Sequence, residues 1–372
     1  MSSLKKRHWI LTPFTLIYGA VIGVRNKLFD WKILPSEEFE LPIISVGNLT
    51  VGGTGKTPHT EYLIGLLQNK FKTALLSRGY KRKTSGYRLA TEASTPHEIG
   101  DEPYQIKQKF PNIRVAVDAD RRHGIRRLCN DTASADTEVI LLDDAFQHRY
   151  VSPGINIVLM DYNRPIYEDA LMPTGMLREP KSSLSRAHVF IVTKCPEDIK
   201  PIDFRIVAKN LELRPYQRLY FTSFAYGDLT NFKNRKLNRE LTSITEETHI
   251  VLVTGIASAA PLLKKLQEHT SHIKHFEYSD HHEFSASDLQ NIEHAFASIE
   301  AADKVIITTE KDAARLSAHT VSDIIAGNLY VLPINVVFLQ GQEEKFNHYI
   351  TDYVSKNSRN RIIHQRKDAH KS

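Results

Sequence analysis

The chain has 372 residues, 41% of them hydrophobic and 25% charged, and a formal net charge of +6. These values exclude a disordered or collagen-like polymer and fit a folded protein of two domains with a substantial core. Two isolated cysteines, Cys129 and Cys195, exclude a disulfide scaffold and point to a reducing compartment, while the positive balance admits an anionic partner: nucleotide, phospholipid surface or nucleic acid.

Residues 9–24 carry no charge and lie between Lys5, Lys6 and Arg7 on one side and Arg25 and Lys27 on the other. A spanning helix needs about 20 apolar residues, so this run is short, and Pro13, Gly19 and Gly23 weaken it further. A secretory signal would lack its small-x-small cleavage site. A core helix would leave the basic flanks unexplained. The pattern favours a helix lying in the headgroup region, with Trp9, Phe14, Leu16, Ile17, Val21 and Ile22 in the apolar layer.

Residues 35–41 read as a connector. The apolar strand Ile43-Ile44-Ser45-Val46 then runs into Gly47-Asn48-Leu49-Thr50-Val51-Gly52-Gly53-Thr54-Gly55-Lys56-Thr57, and residues 58–67 read as a helix. A glycine-rich turn between strand and helix can aim several N–H groups at phosphates. Thr50, Val51, Gly52, Gly53, Thr54 and Gly55 are the expected cradle for ATP. Lys56 is placed for the β/γ-phosphates and the Thr57 hydroxyl for Mg²⁺. Thr50 stands where the usual pattern opens with glycine.

The next strand, 73–76, ends in Ser77-Arg78-Gly79-Tyr80-Lys81-Arg82-Lys83, a cationic segment where parallel sheets bind ligands. It reads equally well as a solvated loop. Gly100-Asp101-Glu102-Pro103 precedes a helix over 104–110; on spacing alone Asp101 reads as the N-cap in preference to a general base. Strand 114–117 leads into the charged run Asp118-Ala119-Asp120-Arg121-Arg122-His123. Val139-Ile140-Leu141-Leu142-Asp143-Asp144 is a buried strand ending in acidic residues downstream of the phosphate loop, the arrangement that places a carboxylate near Mg²⁺. Gln147, shortly after, can reach the same cleft.

Strands at 155–160 and 188–193 continue the alternation, separated by a loop holding the pair Arg178 and Glu179 between prolines. A boundary falls at 219–247. A second α/β set has strands at 250–253, 273–278, 304–308 and 329–337. Asp280-His281-His282-Glu283 invites a metal reading, weakened because consecutive histidines point to opposite sides of a strand. Thr309 and Asp312 have the spacing of helix-capping chemistry. Residues 356–372 read as a disordered basic tail.

Taken in this order, the phosphate loop, Ser77-Arg78-Gly79-Tyr80, Gly100-Asp101-Glu102-Pro103, Asp143-Asp144-Ala145-Phe146-Gln147-His148, Leu177-Arg178-Glu179-Pro180, Asp280-His281-His282 and Thr309-Glu310-Lys311-Asp312 resemble the tetraacyldisaccharide 4′-kinase family of lipid A synthesis. The resemblance covers most of residues 5–340. Thr50 matches the family's own loop, and Ala145-Phe146 stands where relatives carry Gly-Leu or Gly-Phe.

The resemblance implies two α/β/α domains, the first P-loop NTPase-like, joined by a short β linker. The expected division is a membrane-associating helix at 1–30, a kinase domain at 31–225, a linker at 226–248, a second domain at 249–345 and a basic tail at 346–372. It further implies transfer of the γ-phosphoryl group of ATP to the 4′-hydroxyl of an acylated glucosamine disaccharide 1-phosphate. The expected setting is the cytoplasmic face of the inner membrane, with neither nucleic acid nor an obligate protein partner. By this resemblance Asp101 becomes the base for the sugar hydroxyl and His281 its support, with Thr57, Asp143 and Asp144 positioning Mg²⁺. Arg78, Arg121, Arg178, Glu179 and Gln147 then line the cleft. A membrane-associated P-loop ATPase or switch acting through a partner protein would share the phosphate loop and Asp143, and would have no use for Asp101 or His281.

Overall fold

The computed structural model describes the backbone of residues 2–369 and the side chains of residues 10–358. Helix α1 (Ser2–Asp30) precedes β1 (Ile43–Asn48), α2 (Lys56–Leu67), β2 (Thr73–Ser77), β3 (Arg88–Leu89), α3 (Pro96–Ile99) and α4 (Asp101–Lys109). Then come β4 (Arg114–Val117), α5 (Arg121–Asn130), β5 (Val139–Asp143), β6 (Ile155–Asp161), β7 (Val189–Thr193), α6 (Pro201–Leu211) and β8 (Arg218–Tyr226). A second run holds β9 (Leu229–Asn231), β10 (Asn238–Arg239), β11 (His249–Thr254), α7 (Ala260–Gln267), β12 (Ile273–Glu277) and α8 (Ala286–Ala297). It continues through β13 (Lys304–Thr309), α9 (Glu310–Leu316), α10 (Asp323–Asn328) and β14 (Leu329–Leu332), followed by β15 (Ile334–Phe338) and α11 (Glu343–Ala369).

The eight strands of the first run, joined by β15, form a nine-stranded sheet in the order β15-β8-β7-β6-β1-β5-β2-β4-β3. Its centre is parallel, and β1, β2, β5 and β7 are buried along their whole length. That explains their near-continuous apolar sequences, since helices cover both faces of such a sheet. The loops after β1, β2, β4 and β5 therefore leave from one carboxyl edge, where sheets of this kind bind ligands. The second run forms a six-stranded sheet, β10-β9-β14-β13-β11-β12, whose β11, β12, β13 and β14 are parallel. This is the α/β architecture the sequence predicts.

Two expectations at the C-terminal end need correction. The apolar run 329–337 is two strands in two sheets. Pro333, which lacks an N–H, separates β14 from β15, and β15 pairs antiparallel with β8 in the larger sheet. Residues 334–338 thus lie outside the second unit in which 249–345 had placed them. The expected disordered tail is also helical as far as Ala369. Phe346, Ile350 and Val354, spaced four apart, are buried against β8 and β15 residues Tyr220, Val336 and Phe338. Each such burial is worth about 1.5–3 kcal/mol, which outweighs the polar composition around them.

Helix α1 docks by one side. Tyr18 Oη donates to Arg178 O at 2.8 Å, Arg25 Nη2 to Gln147 O at 2.9 Å, and Phe29 packs edge-on to Tyr150. Ile10, Phe14, Ile17, Val21 and Val24 form an exposed stripe at helical spacing, with Leu16 exposed beside it. Ile22 is half-buried, and the Trp9 side chain and basic residues 5–7 lie outside the described side chains. Among the described residues no helix is long and apolar enough to cross a membrane.

Candidate functional site

The phosphate loop leaves β1 at the sheet's carboxyl edge and is braced from beneath. Val51 N donates to Met176 O at 2.9 Å, Arg178 N to Leu49 O at 2.7 Å, and Thr193 Oγ1 to Thr54 O at 2.9 Å. Asn48 Nδ2 reaches Thr54 Oγ1 at 2.8 Å. Gly52 and Gly55 have φ of 100° and 85°, the left-handed region open to glycine. At Gly55 a Cβ would also stand 2.7 Å from Phe224 Cζ. α2 begins at Lys56 with no side chain capping it, so its first amides face the loop's concavity. Lys194 at the end of β7 bonds Gly53 O and, at 2.8 Å, Asp161 Oδ2. On sequence the segment resembles a guanine-reading motif without its aspartate; in space Lys194 fastens the loop.

Asp143 closes β5 directly across from Val46 of β1. It is buried and accepts from Ser77 Oγ at 3.2 Å. Burial, then the charges of Glu102 and Asp144, push its carboxyl up to about 7, against the opposing pull of Lys56 and Arg121. Asp144 has φ 45° and turns the other way. Arg178 Nη1 lies 3.1 Å from both its oxygens, and Lys56 Nζ 3.8 Å from Oδ1. Burial opposes its ionisation, yet Lys56, Arg178 and Arg121 hold its carboxyl below the ordinary range.

A second cluster draws on both units, with Asp101 from α4 and His281 and Arg315 from the second run. Asp101 is not the N-cap its spacing suggests. Gly100, at φ 92°, occupies that position, and Asp101 is the first helical residue of α4 with its carboxylate turned outward. Arg315 Nε donates to Asp101 Oδ2 at 3.0 Å, and His281 Nδ1 is 3.7 Å from the same oxygen. His281, at φ 61° in the loop after β12, contacts Arg315 Nη2 at 3.2 Å and Lys311 Nζ at 3.4 Å. Burial would raise the Asp101 carboxyl, but His281 and Arg315 hold it below its usual value. Arg315 is itself fixed: Nη1 donates to Gly255 O and to Asp312 Oδ1, each at 2.8 Å. Asp312, fully buried, also accepts from Gly255 N at 3.0 Å and Thr309 Oγ1 at 2.7 Å. Thr309 caps α9 as its spacing predicts. Lys311 lies 3.5 Å from Glu102, whose charge also acts on Asp143, so the two halves adjoin.

The remaining predicted cleft residues divide. Arg78 is exposed at the end of β2. Arg121 is buried beside the Asp143–Asp144 pair, donating to the carbonyls of Asp118 at 2.9 Å and Asp143 at 3.2 Å. Glu179 is buried under α1 between Arg186 and Arg25, because neighbours on an extended segment point to opposite sides. Gln147 braces β1 through the Asn48 carbonyl at 2.7 Å. His282 turns away from His281 to Asp288, 3.0 Å distant, and stacks on Tyr278. Among the described residues no group of three His, Cys, Asp or Glu could hold a metal alone. Arg315, Lys311 and Lys194 are the site residues that sequence reasoning missed.

The family described as tetraacyldisaccharide-1-P 4′-kinase matches residues 7–355. A tetraacyldisaccharide 4′-kinase of Phocaeicola vulgatus is 54% identical, covering 96% of this chain and 98% of the relative. One of Bacteroides fragilis is 52% identical over 100% of this chain and 99% of its own. Among solved structures, LpxK from Aquifex aeolicus in complex with ATP is similar at a TM-score of 0.73 and 27% identity, covering 93% of this chain and 99% of that one.

Proposed function

The chain belongs to the tetraacyldisaccharide 4′-kinase family, and on that premise we propose how its residues carry the reaction. It is an ATP-dependent kinase acting on the 4′-hydroxyl of a tetraacylated glucosamine disaccharide 1-phosphate, a lipid A precursor. The loop amides of residues 50–55, with Lys56, hold the ATP phosphates. Arg178 holds Asp144 beside Lys56.

Mg²⁺ fits the oxygen donors present. Asp143 is buried beside two further carboxylates, whose repulsion a cation would relieve, and Thr57 lies at the start of α2. When bound there, Mg²⁺ supplies charge neutralisation at the β/γ-phosphates. Thr57 and Asp143 are its proposed ligands, with Asp144 alongside.

On the acceptor side, Asp101 takes the proton of the 4′-hydroxyl as that oxygen bonds the γ-phosphorus and the bond to ADP breaks. With its carboxyl held low by His281 and Arg315, Asp101 is a weak base, so the proton moves late, which suits a loose phosphoryl transition state. His281 and Arg315 orient it. Arg78 remains an exposed cation for phosphate or sugar 1-phosphate. The apolar stripe of α1 supports docking at a membrane surface, on the cytoplasmic face of the inner membrane, where an acylated substrate resides.

The observation that carries this reading is the meeting of Asp101, His281 and Arg315, drawn from both sheets, next to Glu102 and Asp143. A P-loop switch working through a partner has no need of it. The test is transfer from labelled ATP to the disaccharide 1-phosphate in mixed micelles, wild type beside Asp101→Ala. Labelled lipid from wild type and nearly none from the variant, with ATP binding retained, is expected; unchanged labelling by the variant overturns the role of Asp101.

A further inference from the structure

Away from the reacting groups, three helices meet on one ammonium. Lys109 Nζ, from the last residue of α4, donates to Glu61 Oε2 of α2 at 2.6 Å and lies 2.7 Å from Glu310 Oε1, the first residue of α9. Glu61 is buried, and its other oxygen accepts from Gln105 Nε2 at 2.7 Å. Glu310 belongs to the run that forms the second sheet, the other two to the first. Each of these helices carries one part of the site: α2 opens with Lys56 and Thr57, α4 with Asp101, and α9 bears Lys311, Asp312 and Arg315.

We propose that Lys109 is a positioning residue for phosphoryl transfer, setting Asp101 against the phosphate loop by clamping α4 between α2 and α9. This rests on Asp101 being the acceptor-side carboxylate. α4 is a short rigid rod, so Lys109 stands about 12 Å along the axis from Asp101, at 1.5 Å per residue, and a shift at one end carries to the other. α4 and α9 lie against each other. Asp101 meets Arg315, Glu102 meets Lys311 and Tyr104 meets Ser317 along their length, with Lys109 and Glu310 closing the far end.

Without the ammonium, two carboxylates would face each other in a largely dry site. Burial and the Glu310 charge already push the Glu61 carboxyl up to about 7 even with Lys109 opposing them. Removing Lys109 raises the Glu61 carboxyl further, so Glu61 takes up a proton and the ionic tie that holds α9 to α2 and α4 is lost.

The experiment measures kcat for lipid phosphorylation, ATP affinity by direct binding, and melting temperature in Lys109→Met, Lys109→Arg, Glu310→Gln and Asp101→Ala. Lys109→Met is expected to lose about 10²-fold in kcat, the scale of a 1 Å misplacement, with ATP affinity held within about twofold. Lys109→Arg, which keeps a charge and can span two carboxylates, restores most of it. Glu310→Gln leaves the Glu61–Lys109 pair within the first sheet's layer and still lowers kcat, with little change in melting temperature. A wild-type kcat in Glu310→Gln, or a Lys109→Met loss that arginine does not restore, overturns the proposal. Retained transfer in Asp101→Ala would instead fault the assignment of the site, so the two failures are distinguishable.

Discussion

Replacing Arg315 with methionine separates a structural duty from a chemical one. The guanidinium is 5% exposed and its partner Asp312 is 0% exposed, so Arg315→Met strands a buried carboxylate. Breaking such a pair costs about 3–5 kcal/mol. Because Asp312 keeps its bonds from Gly255 N and Thr309 Oγ1, the lower figure applies. At about 2 °C per kcal/mol for a chain of this size, the melting temperature should fall by about 6 °C. Adding Asp312→Asn removes the stranded charge, and the double variant should recover half or more of that loss.

Catalysis follows a different course. Arg315 and His281 together hold the Asp101 carboxyl below its ordinary value against the effect of burial. In Arg315→Met/Asp312→Asn that carboxyl rises, so the acid limb of kcat/KM moves to higher pH. Loss of orientation lowers kcat by about 10²-fold. Thermal melts at neutral pH and lipid phosphorylation across a pH series are the assays. A double variant that regains stability, works within about twofold of wild type and keeps its acid limb in place would refute a role for Arg315 beyond packing.

Three further outcomes are expected. The Asp143 carboxyl, pushed up to about 7 from an ordinary 3.8, binds its proton more tightly in the folded protein, so the stability it contributes is full below about pH 4 and lost as pH rises through 7. Asp143→Asn should therefore gain in melting temperature relative to wild type between about pH 4 and 7, lose transfer, and lose the stabilisation that Mg²⁺ with ATP gives wild type at pH 8. Gly55→Ala, strained at φ 85° and pressed on Phe224, should lose about 1–2 kcal/mol along with ATP affinity, whereas Gly53→Ala, with no neighbour within 4 Å, should melt like wild type. Ile17→Glu/Val21→Glu on the exposed stripe should cut cosedimentation with anionic vesicles by about a hundredfold or more and leave ATP binding intact.

The nucleotide half of the site is legible in sequence because its groups are consecutive: one strand, one loop and the first turn of one helix carry residues 50–57. Asp143 is legible for the same reason, as a carboxylate ending an apolar strand. The proposed acceptor half depends on long-range packing. Arg315 takes its partners from residues 101, 255, 281 and 312, and its only local trace is the cap spacing of Thr309 and Asp312, which reads as helix chemistry and is that as well. Glu179 shows the converse failure. A charged residue in an extended loop carries no sign of which side it faces, and this one turns inward. The C-terminal helix is hidden by polar composition, although Phe346, Ile350 and Val354 at steps of four are a signal that periodicity detects.

The pairing of β8 with β15 sets Tyr226 opposite Ile334, and Gly227 N donates to Pro333 O at 3.1 Å. Residues 228–332 are therefore an insertion whose two splice points touch. Excising them and joining the strands through a two-residue turn would leave the larger sheet complete. Truncation at any point within them would instead strip that sheet of an edge strand and of α11. His281, Lys311 and Arg315 thus travel as a single cassette. The excised protein would keep its phosphate loop, Asp143 and Asp101 and lack every partner that holds Asp101 in place, so nucleotide binding and phosphoryl transfer are separable at one covalent seam.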